Sequence, residues 1–307
     1  MKVAIKVLHP GITSAIERDL MLMKRVAFLI DSLPSETLSC LGLPEVASNF
    51  EDILRRQIDL RVEAQNLQRF AQNFQHFERS NFIVTFPRPV DNFVSEHVLV
   101  EDFIDGVPIS DFLSDESING LELRKKLAKP LLNAFLKMVF TDNFIHCDLH
   151  PGNVLVKVDH LDTSISKISL LDAGLTESLS SQDQQNLRDL FKAVVLNKGN
   201  EAGRLMVERA KNERCTDTEG GLEAFSSGID SIVKEFHMNR KKGLTLGAVR
   251  IGTLLASVLD LCRVHGVEID PAMASVVVST LVLEGLGRSL EPNLNLFDFV
   301  IPLLINS

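Results

Sequence analysis

The residues best suited to chemistry lie in one short segment, F-I-H-C-D-L-H-P-G-N, at positions 144–153. An aspartate, Asp148, is followed five residues later by an asparagine, Asn153. This spacing is typical of a kinase catalytic loop, where the aspartate orients or accepts the proton of the attacking hydroxyl group. The asparagine carbonyl oxygen binds Mg²⁺ there, because hard cations prefer oxygen ligands. The segment therefore predicts phosphoryl transfer assisted by magnesium.

A second acidic residue, Asp172, follows an apolar strand and begins the turn D-A-G at positions 172–174. In kinases the aspartate at this place binds magnesium, and alanine stands here where most kinases have phenylalanine. A D-x-G triplet is common by chance. One that follows Asp148 by 24 residues, after a strand, a loop and a strand, is much less so. We therefore predict that Asp172 binds a metal ion.

The lysine of such a site is predicted to be Lys6, at the end of the strand pattern V-A-I-K at positions 3–6. A lysine in this motif contacts nucleotide phosphates, and it needs a carboxylate nearby because an unpaired buried charge is costly. We predict that its partner is Glu63, in the helical segment at 59–66. The two residues are further apart in sequence than in ordinary protein kinases, so an extra helix is predicted between them.

Each feature also has a purely structural interpretation. Lys6 alone fits a charge on an edge strand, and Glu63 alone fits a surface position on a helix. His146 fits either a catalytic role or hydrogen bonding inside the loop. Cys147 is predicted to be a packing residue, because no motif pairs it with a general base. The four features in this order favour a kinase-like fold over coincidence.

Hydrophobic periodicity predicts the elements that position these residues. A strand is predicted at 2–8, helices at 12–32 and 44–76, and strand character at 82–104. From residue 121 the pattern is mainly helical, and helices are predicted at 121–143, 181–212, 220–242, 245–265 and 271–290. The predicted fold class is α+β, a protein-kinase-like bilobal fold. Residues 1–105 form its small β-plus-helix lobe, and residues 106–307 form a mostly α-helical C-terminal lobe with the catalytic loop and the metal-binding aspartate.

Composition limits the alternatives. The chain has 307 residues, of which 45% are hydrophobic, and a formal charge of −9, so it can bury a large core and has no bulk attraction for nucleic acid. Its four cysteines form no C-x-x-C pair, which argues against a disulfide scaffold or a thiolate zinc site. No apolar run reaches the roughly 18 residues of a transmembrane helix. Because the chain starts inside a strand pattern, we expect a truncated gene model, an isoform or a fragment.

Together these motifs resemble the UbiB family of atypical kinases, also called aarF-domain-containing kinases, and in particular a mitochondrial branch of that family. The resemblance rests on V-A-I-K-V with H-P-G at 3–11, the helical segment at 59–66, the H-P-G-N loop, D-A-G and E-G-L-G-R-S-L at 284–290. The residues that it implies for the site are Lys6 on the phosphate side, Glu63 as its partner, Asp148 as the catalytic-loop aspartate, and Asn153 and Asp172 as metal ligands.

The resemblance also implies a site for ATP or ADP with Mg²⁺. The strand end E-D-F-I at 101–104 matches the hinge that receives adenine through backbone groups, so Asp102 and Ile104 are implied to bind the nucleotide together with Lys6. The sequence departs from the family in two ways. The E-x-D element reads Q-I-D, with Gln57 in place of glutamate, and no Ala-rich phosphate loop or K-x-G-Q helix precedes Lys6. Such a loop would cradle phosphates with backbone N–H groups.

The implied function is that of an ATP-dependent kinase or ATPase that supports coenzyme Q or related lipid metabolism in mitochondria. The implied partners are a nucleotide and lipid or coenzyme Q biosynthetic proteins, and no nucleic acid. A small-molecule kinase of the aminoglycoside or choline type is one alternative, because it shares the H-x-D-x-x-x-x-N loop. A non-catalytic nucleotide-binding scaffold, or an inactive fragment, is another, because the upstream phosphate loop is missing.

Overall fold

The structure is a computed structural model that describes residues 2–32, 43–75, 83–158, 165–241, 251–269, 271–292 and 299. The chain forms two compact units. The first unit comprises Met1–Phe77, Thr85–Asp105 and Ser169–Leu175, and the second comprises Glu78–Val84, Gly106–Ile168 and Thr176–Ser307. The sequence places Asp172 in the C-terminal lobe, whereas the structure groups its segment with the first unit.

Strands and helices are mixed up to Glu177, and the described elements after it are helices. The described strands are β1 (Val3–Val7), β2 (Ile83–Thr85), β3 (Pro89–Val94), β4 (Val98–Asp102), β5 (Val107–Pro108), β6 (Ile145–His146), β7 (Val154–Val158), β8 (Ile165–Leu170) and β9 (Thr176–Glu177). The described α-helices are α1 (Ile12–Asp31), α2 (Leu43–Gln57), α3 (Leu60–Asn73), α4 (Ile109–Leu113), α5 (Ile118–Lys137), α6 (Ser181–Val195), α7 (Gly199–Arg209), α8 (Gly221–Lys241), α9 (Ile251–His265) and α10 (Pro271–Leu290).

An antiparallel sheet in the order β1-β4-β3 forms the base of the first unit. Lys6 pairs with Leu99, and Ala4 pairs with Glu101. Because alternate residues of a strand point to the same face, these four side chains share one face of the sheet. The opposite face carries Ile5 and Val7, which are largely exposed. In this described sheet β1 is an edge strand.

The prediction of one long helix at 44–76 is wrong, because the structure has two helices there, α2 and α3. Asp59 interrupts the helical path with an extended backbone (φ −115°), and its carboxylate accepts a hydrogen bond of 3.0 Å from the Arg61 N–H. An aspartate at this position caps a helix, since it satisfies one of the first free N–H groups. The Q-I-D element is therefore the joint between two helices, and α3 starts in a fixed direction.

The inward face of α3 carries Glu63, Leu67 and Phe70, all buried. The Phe70 ring stacks on that of Phe86, with 4.9 Å between the ring centroids. Because Glu63 lies on the same buried face as these apolar residues, packing holds its carboxylate at the sheet.

In the second unit, α5 runs through Pro130 and ends in a π-helical turn, Met138–Asp142. Asn143 follows in the left-handed region (φ 48°). Its side chain donates to the Leu179 carbonyl oxygen (2.7 Å) and accepts from the Leu179 N–H (3.1 Å). These bonds fix the chain where the loop at 144–153 begins. The described residues also form a four-stranded sheet in the order β2-β8-β7-β5.

Two glycines allow α7 and α8 to pack closely. A Cβ atom on Gly199 would lie 2.3 Å from the Asp230 Cα, and one on Gly203 would lie 2.6 Å from the Ser226 Cα. Both separations are far below van der Waals contact, so only glycine fits. Helices fill most of residues 181–212, as predicted, in the form of α6 and α7. Within the described ranges, no helix combines the length and the hydrophobicity that a membrane span requires.

Candidate functional site

Lys6 and Glu63 form an ion pair through Nζ and Oε1 in the first unit. Lys6 comes from β1 and Glu63 from α3, 57 residues later, with α1 and α2 between them. The Glu63 side chain is buried, and the Lys6 side chain is partly exposed. The pair thus leaves about a third of the Lys6 side chain exposed.

The D-A-G turn lies beside this ion pair. Asp172 Oδ2 is 3.2 Å from Lys6 Nζ, and Asp172 Oδ1 accepts a hydrogen bond of 3.1 Å from the Gly174 N–H. Asp172 has a φ of 46°, which is uncommon for a residue other than glycine. Asn66 of α3 donates to the Ala173 carbonyl oxygen at 2.8 Å. One helix therefore holds both the lysine partner and the turn that carries Asp172.

A third carboxyl group, Glu101, belongs to the same cluster and was not predicted as a side-chain participant. It is only 5% exposed, and its Oε2 atom has no hydrogen-bond partner. Burial raises the pKa of Glu101 to about 7. Lys6 opposes this rise, while Glu63, Asp172 and Asp102 add to it. The alternation of V-L-V-E in β4, which places Glu101 on the face of Leu99, was the available signal.

The charges in this cluster are unequal in number. Burial acts to lower the pKa of Lys6, but the attraction and hydrogen bond of Glu63, with smaller contributions from Asp172 and Glu101, outweigh it and raise that pKa. Burial also raises the pKa of Glu63, against the attraction of Lys6. Lys6 is therefore firmly cationic, and one ammonium group faces three carboxyl groups. A bound cation or hydrogen-bond donor would compensate part of the excess negative charge of the three carboxyl groups.

The predicted catalytic loop lies in the second unit, where Asp148 and Asn153 are in contact. The Asn153 Nδ2 atom donates to the Asp148 backbone oxygen (2.9 Å) and to its Oδ2 atom (3.4 Å). Asp148 is about half exposed, and Asn153 is nearly buried. Because the amide nitrogen is used to hold the loop, the amide oxygen of Asn153 is the atom suited to bind a cation.

The remaining loop residues stabilise its shape. The buried His146 ring accepts a hydrogen bond from the Asp148 N–H at 3.2 Å, which is one of its two predicted roles. His150 accepts from the Gly152 N–H at 3.1 Å, and a Cβ atom on residue 152 would lie 2.7 Å from the His150 ring. A side chain at position 152 would therefore have to displace the His150 ring. Burial raises the pKa of Cys147 to about 11, so it is a protonated thiol at neutral pH, as a packing residue would be.

The predicted hinge lies at the end of β4. The Asp102 N–H donates to the Arg88 carbonyl oxygen (2.9 Å), and the Phe103 N–H donates to the Lys2 carbonyl oxygen (3.3 Å). Neither bond uses the Asp102 carbonyl oxygen or the Ile104 N–H. The family resemblance implies that Asp102 and Ile104 bind adenine through backbone groups. Their role in nucleotide binding stays a prediction.

The donor set fits magnesium. Asp172 supplies a carboxylate and Asn153 an amide oxygen, and Mg²⁺ is commonly held by one or two such ligands together with substrate phosphates and water. Among the described residues, no group of three or more histidine, cysteine, aspartate or glutamate side chains could hold a metal ion. The roles of Asp172 and Asn153 as metal ligands stay a prediction.

Comparison with protein families gives two matches. The ABC1 atypical kinase-like domain matches residues 1–206, and the UbiB helical domain matches residues 233–295. The first match includes Lys6, Glu63, Asp148, Asn153 and Asp172.

Curated relatives match along nearly the whole chain. A mitochondrial ABC1 family protein of Saccharomyces cerevisiae is 34% identical, over 98% of this chain and 50% of its own length. A mitochondrial ABC1 family protein of Schizosaccharomyces pombe is 36% identical, over 98% of this chain and 47% of its own length. A probable protein kinase UbiB of Histophilus somni is 29% identical, over 99% of this chain and 53% of its own length. The chain spans about half the length of the curated relatives it matches.

A solved structure has the same fold. A Mycobacterium tuberculosis protein, determined in complex with erythromycin, superimposes with a TM-score of 0.54 over 95% of this chain and 71% of its own, at 18% sequence identity. At that identity the likeness concerns the fold alone. With the first family match, it shows the predicted α+β kinase-like fold.

Proposed function

Because the chain belongs to the ABC1/UbiB family of atypical kinase-like proteins, we propose that it binds a magnesium–adenine nucleotide and transfers or hydrolyses the terminal phosphoryl group. The observation that supports this most is the arrangement of Lys6, Glu63 and Asp172. Three elements far apart in sequence place one ammonium group between two carboxylates. Phosphoryl transfer depends mainly on such positioning and charge compensation.

In this proposal each residue has a limited task. Lys6 binds the nucleotide phosphates, and Glu63 positions Lys6. Asp172 and Asn153 hold the magnesium ion, which supplies positive charge against the phosphate oxygens. Asp148 orients the acceptor hydroxyl group or water and accepts its proton, while the Asn153 amide nitrogen keeps the Asp148 loop in place.

Nucleotide binding by the purified chain tests the first half of the proposal. Saturation at 100 times the dissociation constant stabilises a protein by about 2.7 kcal/mol, which raises the melting temperature by a few degrees. We expect ATP to give such a rise with magnesium and a smaller one with EDTA. Lys6→Met should abolish the response, and Asp19→Asn, at an exposed position on α1, should leave it unchanged. No response of the wild-type chain under any condition would refute nucleotide binding.

Turnover tests the second half. Release of inorganic phosphate from ATP should require Asp148, and Asp148→Asn should lower the rate by at least about 100-fold while ATP binding persists. Binding without turnover in the wild-type chain would instead support the scaffold function. Phosphorylation of one member of a panel of soluble hydroxylated compounds, with stoichiometric product, would support the small-molecule kinase.

We also propose a mitochondrial location and a role in coenzyme Q or related lipid metabolism. Two relatives that match nearly the whole chain carry mitochondrial in their names, and others are named UbiB. The test is depletion of the protein in cells, followed by quinone measurement in isolated mitochondria. Rescue by the wild-type gene but not by a gene encoding Asp172→Asn would support the proposal, and unchanged quinone content would refute it.

A further inference from the structure

Glu101 has a buried oxygen atom for which the fold provides no partner. Its side chain is 5% exposed, and Oε2 is the only buried side-chain oxygen or nitrogen without a hydrogen bond among the described residues of the first unit. An unsatisfied buried oxygen is rare in folded proteins, because it loses its bonds to water and gains nothing in return. Such an atom calls for a ligand that donates a hydrogen bond.

The position of Glu101 indicates which part of a ligand it faces. Ala4 is its direct partner across β1, and Lys6 lies two residues further along the same face of the sheet. Ala4 is partly buried, and its side chain is a single methyl group. The residue opposite Glu101 therefore occupies little space. Glu101 also immediately precedes Asp102, where β4 ends. The carboxyl group therefore lies between the phosphate-binding lysine and the predicted adenine hinge.

We infer that the Glu101 carboxylate accepts a hydrogen bond from the 6-amino group of the adenine base and so selects adenine nucleotides over 6-oxopurine nucleotides. This inference rests on the proposed function. The amino group has two N–H donors, and the predicted hinge uses one of them, at the Asp102 carbonyl oxygen. Glu101 takes the other, which gives Oε2 the donor that the protein lacks.

The chemistry of the base explains the selectivity. Hypoxanthine carries an oxygen atom in place of the amino group, so it would set an acceptor against an ionised carboxylate, and both would remain unsatisfied. A site built around a hydrogen bond to the substrate rejects analogues that lack the donor, because its own buried group is then unpaired. Unsubstituted purine, with hydrogen at position 6, removes the donor without adding an acceptor. These two bases separate loss of attraction from repulsion.

The test measures binding of three triphosphates to the full chain by calorimetry, at pH 8.5 with magnesium. They are ATP, inosine triphosphate and purine riboside triphosphate. We expect the wild-type chain to prefer ATP over both others by at least about tenfold, the usual effect of one hydrogen bond to a charged group. Glu101→Leu should weaken ATP binding by about tenfold and leave purine riboside triphosphate binding nearly unchanged. Glu96→Gln, at an exposed position between β3 and β4, is the control and should change neither.

Several results would overturn the inference. The first is equal affinity of the wild-type chain for ATP and inosine triphosphate, a result that can be obtained without any variant. The second is an equal loss of affinity for all three nucleotides in Glu101→Leu, since that would indicate a packing effect. If Glu101→Leu does not fold, Glu101→Gln replaces it. Its amide oxygen keeps an acceptor, so it should retain the preference for ATP to within about threefold. Loss of that preference would overturn the inference, because an acceptor at this position would then not select adenine. A wild-type chain that binds no triphosphate refutes the proposed function itself, and the inference with it.

Discussion

Glu101 should make the stability of the protein depend on pH, and replacing it by glutamine should remove this dependence. In the folded chain burial raises the pKa of Glu101 from 4.5 to about 7. Between those values the folded state keeps a proton that the unfolded state has already lost. Stability therefore falls as pH rises through this window, which is the sign expected for a carboxyl group with a raised pKa. Glutamine has nearly the same shape and no charge to desolvate.

The magnitude follows from the shift itself. Each pH unit by which a pKa rises corresponds to about 1.4 kcal/mol. The rise of the Glu101 pKa from 4.5 to about 7 therefore costs the folded state about 3 kcal/mol once Glu101 is fully ionised. Because the side chain is almost completely buried, solvent screening reduces this cost little. We expect Glu101→Gln to be more stable than wild type by about 1 kcal/mol at pH 5 and by about 3 kcal/mol at pH 8.

Urea unfolding at pH 5, 6, 7 and 8 measures this difference. The chain has no tryptophan or tyrosine, so far-UV circular dichroism is the suitable signal. Glu96→Gln serves as the control, because Glu96 is half exposed and its replacement should shift all midpoints equally. A gap between wild type and Glu101→Gln that stays constant or narrows from pH 5 to pH 8 would refute the assignment of a buried, weakly compensated carboxylate.

Three further predictions concern packing, capping and thiol reactivity. Gly199→Ala should destabilise the protein by at least about 2 kcal/mol, because its Cβ would collide with the α8 backbone. Gly285→Ala, with open space around it in α10, should be neutral or stabilising by up to about 1 kcal/mol. Equal urea midpoints for the two variants would contradict this packing. Asp59→Ala should cost about 1 kcal/mol through loss of the α3 cap, and Asp59→Asn should restore most of it in the same assay. Native Cys147 should react with iodoacetamide at pH 8 about 100 times more slowly than an ordinary protein thiol, since its pKa is about 11 rather than 9.0. Rapid labelling of Cys147, detected by peptide mapping with mass spectrometry, would contradict this raised pKa.

Much of the fold follows from local patterns in the sequence. The V-A-I-K strand, the helix at 12–32 and the helices after residue 180 have clear periodicity, and the structure contains them within the residues it describes. The first part of the helix predicted at 245–265, residues 245–250, lies outside the described residues. The division of residues 44–76 into two helices was missed, since Ile58 continues the apolar pattern across the joint. Asp59 was the missed signal: a helix-capping residue type in the middle of a predicted helix.

The site was harder to predict, because its members depend on tertiary structure. Motif order predicts that Lys6 and Glu63 meet, and the structure shows them as an ion pair. It does not predict that Asp172 groups with the small unit, which follows from the bonds that α3 and β1 make to the D-A-G turn. Nor could it show that Glu101 is buried, since the alternation in β4 identifies a face but not which face is covered.

Magnesium-dependent ATP turnover, compared between wild type and Asp172→Asn, tests the central claim most directly. The substitution keeps the shape of the side chain and its bond from the Gly174 N–H but removes the charge offered to a cation. We expect phosphate release by the wild-type chain to rise with magnesium concentration, and that by Asp172→Asn to fall by at least about 100-fold. Equal turnover by both chains across the magnesium titration would contradict the assignment of Asp172, and with it the phosphoryl-transfer site.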